Sequence, residues 1–135
     1  MKLLHTIEEV VYLEHTDAAG VMYFASLVAF AHRAFERLLA DKGLPLRLMM
    51  QRYTLPIVHL QAEYYLPCYA GDELTISVYL QNAANRSLRL HYRILKNRKM
   101  VANLSMIHVC VSKGRTKVLP DDLLVCLGER DASEI

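Results

Sequence analysis

The chain has 135 residues, of which 53% are hydrophobic and 22% charged, and its formal net charge is +2. This length predicts a single domain, residues 1–135, with enough apolar side chains for a substantial core. The balanced charge excludes a disordered chain and a polybasic nucleic-acid surface, so no nucleic-acid partner is expected. Three widely spaced cysteines form neither a CxxC pair nor a disulfide framework, which favours a reducing, cytoplasmic location.

A first strand is expected over residues 5–14, followed by a loop over His15–Tyr23. A helix is predicted from about Ser26, a candidate cap, to Asp41–Lys42, and it ends at Gly43. Apolar side chains cover most of its circumference, so a larger element must enclose it. Charged residues interrupt the helix and no signal peptide precedes it, so we expect no membrane partner.

Four further strands are predicted in succession, over residues 55–65, 73–82, 87–97 and 99–112. The apolar residues alternate most clearly in the second and third of these strands. Before them, residues 46–53 are expected to form a short helix or an irregular turn, and after them residues 121–127 are a candidate short helix. This order predicts an α+β fold in which an antiparallel sheet wraps around a long central helix. The sheet has an exposed edge, so we expect a homodimer with a continuous sheet, and a tetramer built from it.

Asp17 is the first candidate for chemistry, because it stands in a small-residue loop just before the helix. The first turn of a helix leaves its N–H groups without internal partners, and the helix dipole makes them a site for developing negative charge. A carboxylate beside such donors can perform hydrolysis without a metal or a Ser/His pair. Gly20 allows an unusual backbone dihedral in this loop. The alternative is that Asp17 is only a capping or turn carboxylate.

Other site types are not indicated by the sequence. The six histidines are dispersed, without HxxxH or HExxH spacing, so no metal site is expected. No glycine-rich phosphate loop is present either, and we expect no cofactor.

Two blocks of sequence resemble a known family. The first is Thr16–Phe24, and the second comprises Leu55–Val58, Glu63–Pro67 and Gly71–Ile76. They resemble the hotdog-fold acyl-CoA thioesterases of the 4-hydroxybenzoyl-CoA thioesterase type, and the resemblance extends to about Leu119. The resemblance implies a hotdog fold and a thioester hydrolase whose active site lies at a subunit interface, with coenzyme A as part of the substrate.

Within this family, the chain is most similar to the cyanobacterial 1,4-dihydroxy-2-naphthoyl-CoA hydrolases of phylloquinone biosynthesis. The shared residues are Asp17–Val21, Tyr23–Ala25, His32, Ala34 and Glu36. A related branch, the short-chain acyl-CoA thioesterases linked to the Tol-Pal system, typically has a histidine where this chain has Phe24. That difference argues against the second branch.

The resemblance assigns roles to individual residues of the loop. Asp17 matches the catalytic carboxylate, acting as nucleophile or general base, and the backbone N–H of Phe24 matches the oxyanion donor. A thiolate leaves with little assistance, because a thiol has a pKa of roughly 8.5. Tyr23 and Phe24 either flank an aromatic acyl group or pack in the core.

The remaining candidates lie outside the loop. Arg86 and Ser87 match a basic-Ser stretch that binds the coenzyme A nucleotide in the family. His59 and Glu63 share one strand face and are candidates for lining the subunit interface near the substrate. His32 and Glu36 are either a second catalytic dyad or a surface or interface pair.

The sequence leaves several functions open. The acyl group could be 1,4-dihydroxy-2-naphthoyl, 4-hydroxybenzoyl, another aryl group or a short aliphatic chain. A non-catalytic acyl-CoA or acyl-carrier binding module and a dehydratase are the alternatives from other classes. Direct attack by water and a covalent anhydride are both compatible with Asp17.

Overall fold

The computed structural model describes residues 1–134. In chain order the elements are β1 (Lys2–Val10), α1 (Phe24–Asp41), α2 (Leu46–Met49), β2 (Ile57–Tyr64), β3 (Glu73–Ala83), β4 (Ser87–Lys96), β5 (Lys99–Val109), β6 (Val111–Ser112), β7 (Arg115–Thr116) and α3 (Asp121–Cys126). Two 3-10 turns, Leu13–His15 and Ala132–Glu134, complete the set.

Five strands form one antiparallel sheet in the order β1-β3-β4-β5-β2, and β6 and β7 form a separate small hairpin. Alternate residues of β4 are buried, namely Leu88, Leu90, Tyr92 and Ile94. The predicted α+β class, with an antiparallel sheet and one long helix, is confirmed.

Helix α1 packs against the apolar face of this sheet, mainly on β1 and β3. Its buried residues are Leu27, Phe30, Ala31, Ala34, Phe35, Leu38 and Leu39. They join the inward-facing residues of the strands in one hydrophobic cluster. Each large aliphatic or aromatic side chain buried there contributes about 1.5–3 kcal/mol, so the helix is held mainly by this face.

Several predicted boundaries are wrong, including that of α2, which ends at Met49 rather than at residue 53, and that of β2, which begins at Ile57 rather than at residue 55. The first strand covers Lys2–Val10 rather than 5–14, because the chain turns at Leu13–His15, where Thr16 N–H donates to Leu13 O. The strand predicted over 99–112 breaks at Cys110 into β5 and β6. Helix α1 begins at Phe24, two residues before Ser26. Tyr23 is the N-cap residue and makes no side-chain cap.

The two edges of the sheet differ in chemistry. On edge strand β1, the Glu9 carboxylate lies 3.3 Å from the Arg33 guanidinium and 3.5 Å from that of Arg37. On edge strand β2, nearly every residue is exposed, and Leu60 and Tyr64 are 39% and 45% accessible although they are apolar or aromatic. An apolar strand edge of this kind is unfavourable in water unless another chain covers it.

None of the helices in residues 1–134 has both the length and the apolar character needed to cross a membrane.

Candidate active site

The loop of residues 17–21, called here the Asp17 loop, is closed by its own carboxylate. Oδ1 of Asp17 accepts hydrogen bonds from the N–H groups of Ala19, at 2.8 Å, and Val21, at 3.1 Å. The backbone N–H of Asp17 donates to the Val21 carbonyl at 2.9 Å. Oδ2 has no hydrogen-bond partner within residues 1–134, so one oxygen shapes the loop and the other is available to a ligand.

Gly20 makes the tight turn possible. Its φ is +79°, in the left-handed region that residues with a Cβ seldom adopt. Its N–H donates to the Asp17 carbonyl at 3.0 Å, and its own carbonyl accepts from Ala70 N–H at 3.1 Å. The Met22 N–H donates to the Cys68 carbonyl at 2.8 Å. The loop is therefore tied to the segment that follows β2, which sets its position relative to the sheet.

The start of α1 lies directly after this loop. The backbone N–H groups of Phe24, Ala25 and Ser26 have no hydrogen-bond partner among the described residues, and no acidic side chain occupies the first turn. The Tyr23 N–H donates to the His15 carbonyl at 3.0 Å, which directs the chain into the helix. This end of the helix is a preorganised place for an oxyanion. Asp17 does not cap the helix, so the capping half of the alternative is wrong, whereas its turn half is confirmed because Oδ1 closes the loop. The catalytic role of Asp17 stays a prediction.

Tyr23 and Phe24 are 51% and 45% exposed, so the alternative that they pack in the core is wrong. The Phe24 ring lies against the ring of Tyr64, with centroids 5.2 Å apart. Both side chains therefore present aromatic surface beside the free N–H groups.

A cavity of about 440 Å³ adjoins the helix start. Val21, Phe24 and Leu27 line one side, and the segment Tyr64–Cys68 lines the other. A cavity of about 150 Å³ is enough for benzene, so this one accommodates a sizeable part of an organic substrate. No role in a cavity was predicted for Tyr64–Cys68 from the sequence, although the largely apolar run after β2 could have indicated one.

Arg86 and Ser87 are not brought to the Asp17 loop within one chain. They precede or begin β4, where Arg86 Nη1 donates to the Thr116 carbonyl at 3.1 Å. The 10 residues of β4 extend for roughly 30 Å, and the cation at its other end is Lys96. Lys96 Nζ donates to the Pro67 carbonyl at 3.0 Å, at the edge of the cavity.

His59 and Glu63 lie on the face of the sheet that points away from α1. His59 is paired with Ile107, whose neighbours on β5, Met106 and His108, point inward and are buried. The Glu63 carboxylate accepts a hydrogen bond from the Tyr65 hydroxyl at 2.7 Å. Within one chain, neither side chain is on the side of the sheet that carries the Asp17 loop.

His32 and Glu36 form a close pair on α1, with Nδ1 of the histidine 3.4 Å from Oε1 of the glutamate. His32 is eight residues beyond Phe24, which is about 12 Å along the helix. The pair borders a second cavity and is separate from the Asp17 loop. No cluster of three or more His, Cys, Asp or Glu side chains arranged for a metal is found within residues 1–134.

Known proteins resemble this chain in sequence and in structure. A sequence profile of the thioesterase-like superfamily matches residues 11–127. A 1,4-dihydroxy-2-naphthoyl-CoA hydrolase of Synechococcus elongatus is 36% identical over 110 residues, which cover 79% of this chain and 81% of that protein. One from Nostoc punctiforme is 32% identical over 133 residues, covering 94% and 90%.

Among solved structures, a 1,4-dihydroxy-2-naphthoyl-CoA thioesterase from Synechocystis superposes with a TM-score of 0.86 at 27% identity. The match covers 93% of this chain and 96% of that one. The resemblance carried by the two sequence blocks, and the hotdog fold it implied, are confirmed. The chain belongs to the thioesterase-like superfamily.

Proposed function

We propose that this protein hydrolyses 1,4-dihydroxy-2-naphthoyl-CoA to 1,4-dihydroxy-2-naphthoate and coenzyme A, in the cytoplasm, as a step of phylloquinone biosynthesis. The relatives that carry this name support the choice of substrate. One observation carries the chemistry: within residues 1–134, Oδ2 of Asp17 has no hydrogen-bond partner, and its loop leads directly into the first N–H groups of α1, which also have none.

In the proposed reaction, the thioester carbonyl oxygen accepts a hydrogen bond from the Phe24 N–H, and the helix dipole stabilises the oxyanion as it forms. Asp17 either removes a proton from the attacking water or attacks the carbonyl carbon itself. The carbon–sulfur bond breaks, the thiolate leaves as coenzyme A, and water supplies the oxygen of the carboxylate. No cofactor is required, because coenzyme A belongs to the substrate.

The proposal includes a homodimer in which β2 of one subunit pairs with β2 of the other. The exposed apolar residues of this edge, such as Leu60, support that pairing. Two-fold symmetry makes the two β2 strands antiparallel, so the start of one lies beside the end of the other. Arg86 immediately precedes β4, whose first residues pair with the end of β5, and that end of β5 pairs with the start of β2. A second copy therefore brings its Arg86 toward the Asp17 loop of the first copy. This arrangement explains why one chain separates residues that the resemblance groups together. The proposed tetramer is an association of two such dimers.

Release of free thiol from a panel of acyl-CoAs tests the function. The panel contains 1,4-dihydroxy-2-naphthoyl, 4-hydroxybenzoyl, benzoyl, short aliphatic and long aliphatic thioesters. Asp17→Asn keeps an oxygen that can accept the two loop N–H groups but removes the carboxylate. We expect its kcat to fall by roughly 10²- to 10⁴-fold.

The matched control is Asp131→Asn. Asp131 is also a turn carboxylate, accepting the N–H two residues ahead of it at 3.0 Å, but it lies near the C-terminus. Its activity should equal that of the wild type. Preference for aliphatic thioesters would refute the substrate, and full activity in Asp17→Asn would refute the mechanism. If no thioester is cleaved, the protein is not a hydrolase, and acyl-CoA binding without turnover becomes the better explanation.

A further inference from the structure

The second cavity, of about 240 Å³, shares no lining residue with the cavity at the helix start. It lies between the middle of α1, the short helix α2 and the segment before β2. Its wall includes apolar side chains such as Phe35, Met49 and Leu55. Three titratable side chains also line it: His32, Glu36 and His108.

His108 is the unusual member of this group, because its side chain is fully buried. Nδ1 lies 2.8 Å from the Leu55 carbonyl oxygen, and a carbonyl can only accept a hydrogen bond, so Nδ1 carries the proton. Nε2 is then a lone-pair acceptor, and it has no partner among residues 1–134. Burial also lowers the pKa of this imidazole, which keeps the ring neutral near pH 7. Buried acceptors without partners are rare and call for an explanation.

The surroundings of His108 suit a flat ring. The His32 ring is stacked on it, with centroids 5.7 Å apart and planes 12° from parallel, and the Phe35 ring lies 5.5 Å away. A cavity of about 150 Å³ holds benzene, so 240 Å³ is sufficient for a fused bicyclic ring. The wall is mainly apolar, and its acceptors include Nε2 of His108 and the Glu36 carboxylate, so it selects a ligand that is aromatic and carries a hydrogen-bond donor.

We propose that this cavity binds a hydroxyaryl group, whose phenolic O–H donates a hydrogen bond to Nε2 of His108. Where the hydroxyaryl group is the acyl group of a thioester, this inference rests on the proposed function. His32 is about 12 Å along α1 from Phe24, so one chain separates the cavity from its own oxyanion donors. Antiparallel pairing of β2 with a second copy places the cavity, at the start of β2, beside the other subunit's Asp17 loop. One subunit therefore holds the carbonyl, and the other recognises the hydroxylated ring.

Binding of two free ligands tests the site without any catalytic step. The probes are 1-naphthol and 1-methoxynaphthalene, which have similar shapes but differ in having a donor. We expect the wild type to bind 1-naphthol roughly 3- to 10-fold more tightly, the ratio typical of one neutral hydrogen bond. Titration is followed by NMR of isotopically labelled histidine, in which the His108 ring signals should move on binding.

His108→Asn is the matched variant, because an amide N–H in place of Nδ1 can still reach the Leu55 carbonyl while nothing replaces Nε2. The preference for 1-naphthol should disappear in this variant. It should persist in His91→Asn, which alters an imidazole on the outer face of β4 that contacts Asn103. The proposal is overturned if the wild type shows no preference, if His108→Asn retains it, or if the His108 signals do not move. Should His108→Asn fail to fold, the two ligands and the histidine signals of the wild type still decide the question.

Thiol release separates this inference from the proposed function. A protein that binds 1-naphthol at His108 but cleaves no thioester keeps the site and refutes the hydrolase. A hydrolase whose KM for 1,4-dihydroxy-2-naphthoyl-CoA is unchanged in His108→Asn refutes the assignment of the site to that substrate. We expect KM to rise in His108→Asn for the dihydroxynaphthoyl thioester and to stay unchanged for 2-naphthoyl-CoA, which lacks the hydroxyl groups.

Discussion

Replacing Gly20 by alanine separates the conformation of the Asp17 loop from the stability of the fold. At φ +79°, an added Cβ meets no heavy atom within 4 Å, so no steric clash with neighbours contributes. The remaining cost is that of placing an L-residue in the left-handed region, about 1–2 kcal/mol. For a chain of this length that corresponds to a fall in Tm of roughly 3–8 °C.

Gly43 provides a matched control, because its φ is +84° and its Cβ position is equally open. It follows the C-cap residue of α1, at the end of the helix opposite to the Phe24 N–H, and it lines neither cavity. Gly43→Ala should therefore lower Tm by about the same amount and leave thiol release unchanged.

Gly20→Ala should in addition lower kcat by roughly 10- to 100-fold, since relaxing φ moves Asp17 relative to the Phe24 N–H, and displacements near 1 Å are enough for such losses. Thermal unfolding and thiol release are measured on both variants. Equal activity in the two would refute the argument that the loop geometry is catalytic. An unchanged Tm in both would refute the backbone argument itself.

Three further predictions concern assembly, pH and the cysteines. Leu60→Arg places a charge on the apolar β2 edge and should give a monomer in light scattering, whereas Glu8→Arg on the β1 edge should keep the mass of the wild type; equal masses would refute β2 pairing. Because burial lowers the pKa of His108, the unfolded chain binds its proton first as the pH falls below about 6.5, so the free energy of unfolding decreases there by at most about 1.4 kcal/mol per pH unit for this group. Urea titrations from pH 7 to pH 5 should show a flatter dependence for His108→Asn, and parallel curves would contradict this. All three cysteines are free and buried, and burial raises the pKa of each thiol, so the folded protein should react slowly with a thiol reagent at pH 8 and all three should react in urea; rapid reaction of the folded protein would be inconsistent with that burial.

Local pattern was sufficient to predict the long helix and the five strands of the sheet, although not their bounds or the β6–β7 hairpin. The alternation in β3 and β4 and the apolar circumference of α1 depend on the periods of strands and helices, which any short segment displays. The placement of Asp17 just ahead of the helix is likewise a local property. The two sequence blocks then identified the family, because a motif of contiguous residues can be recognised without a structure.

Tertiary structure decided what depends on partners distant in the chain. Helix α1 starts at Phe24 rather than Ser26 because the chain before it is held by two hydrogen bonds. The Tyr23 N–H donates to the His15 carbonyl and the Met22 N–H donates to the Cys68 carbonyl, and no local pattern predicts these partners. The tautomer of His108 follows from the Leu55 carbonyl, 53 residues away. Alternation along β5 could have placed His108 on the buried face, but not beside His32.

Arg86 and Asp17 are far apart within one chain because Arg86 precedes β4, and the 10 residues of β4 place the two ends of that strand roughly 30 Å apart. The sequence by itself determined which residues are apolar, which segments form turns, and that a carboxylate precedes the long helix. Only the fold decided which of them meet, because hydrogen-bond pairing across the sheet, and not order along the chain, sets the distances between them.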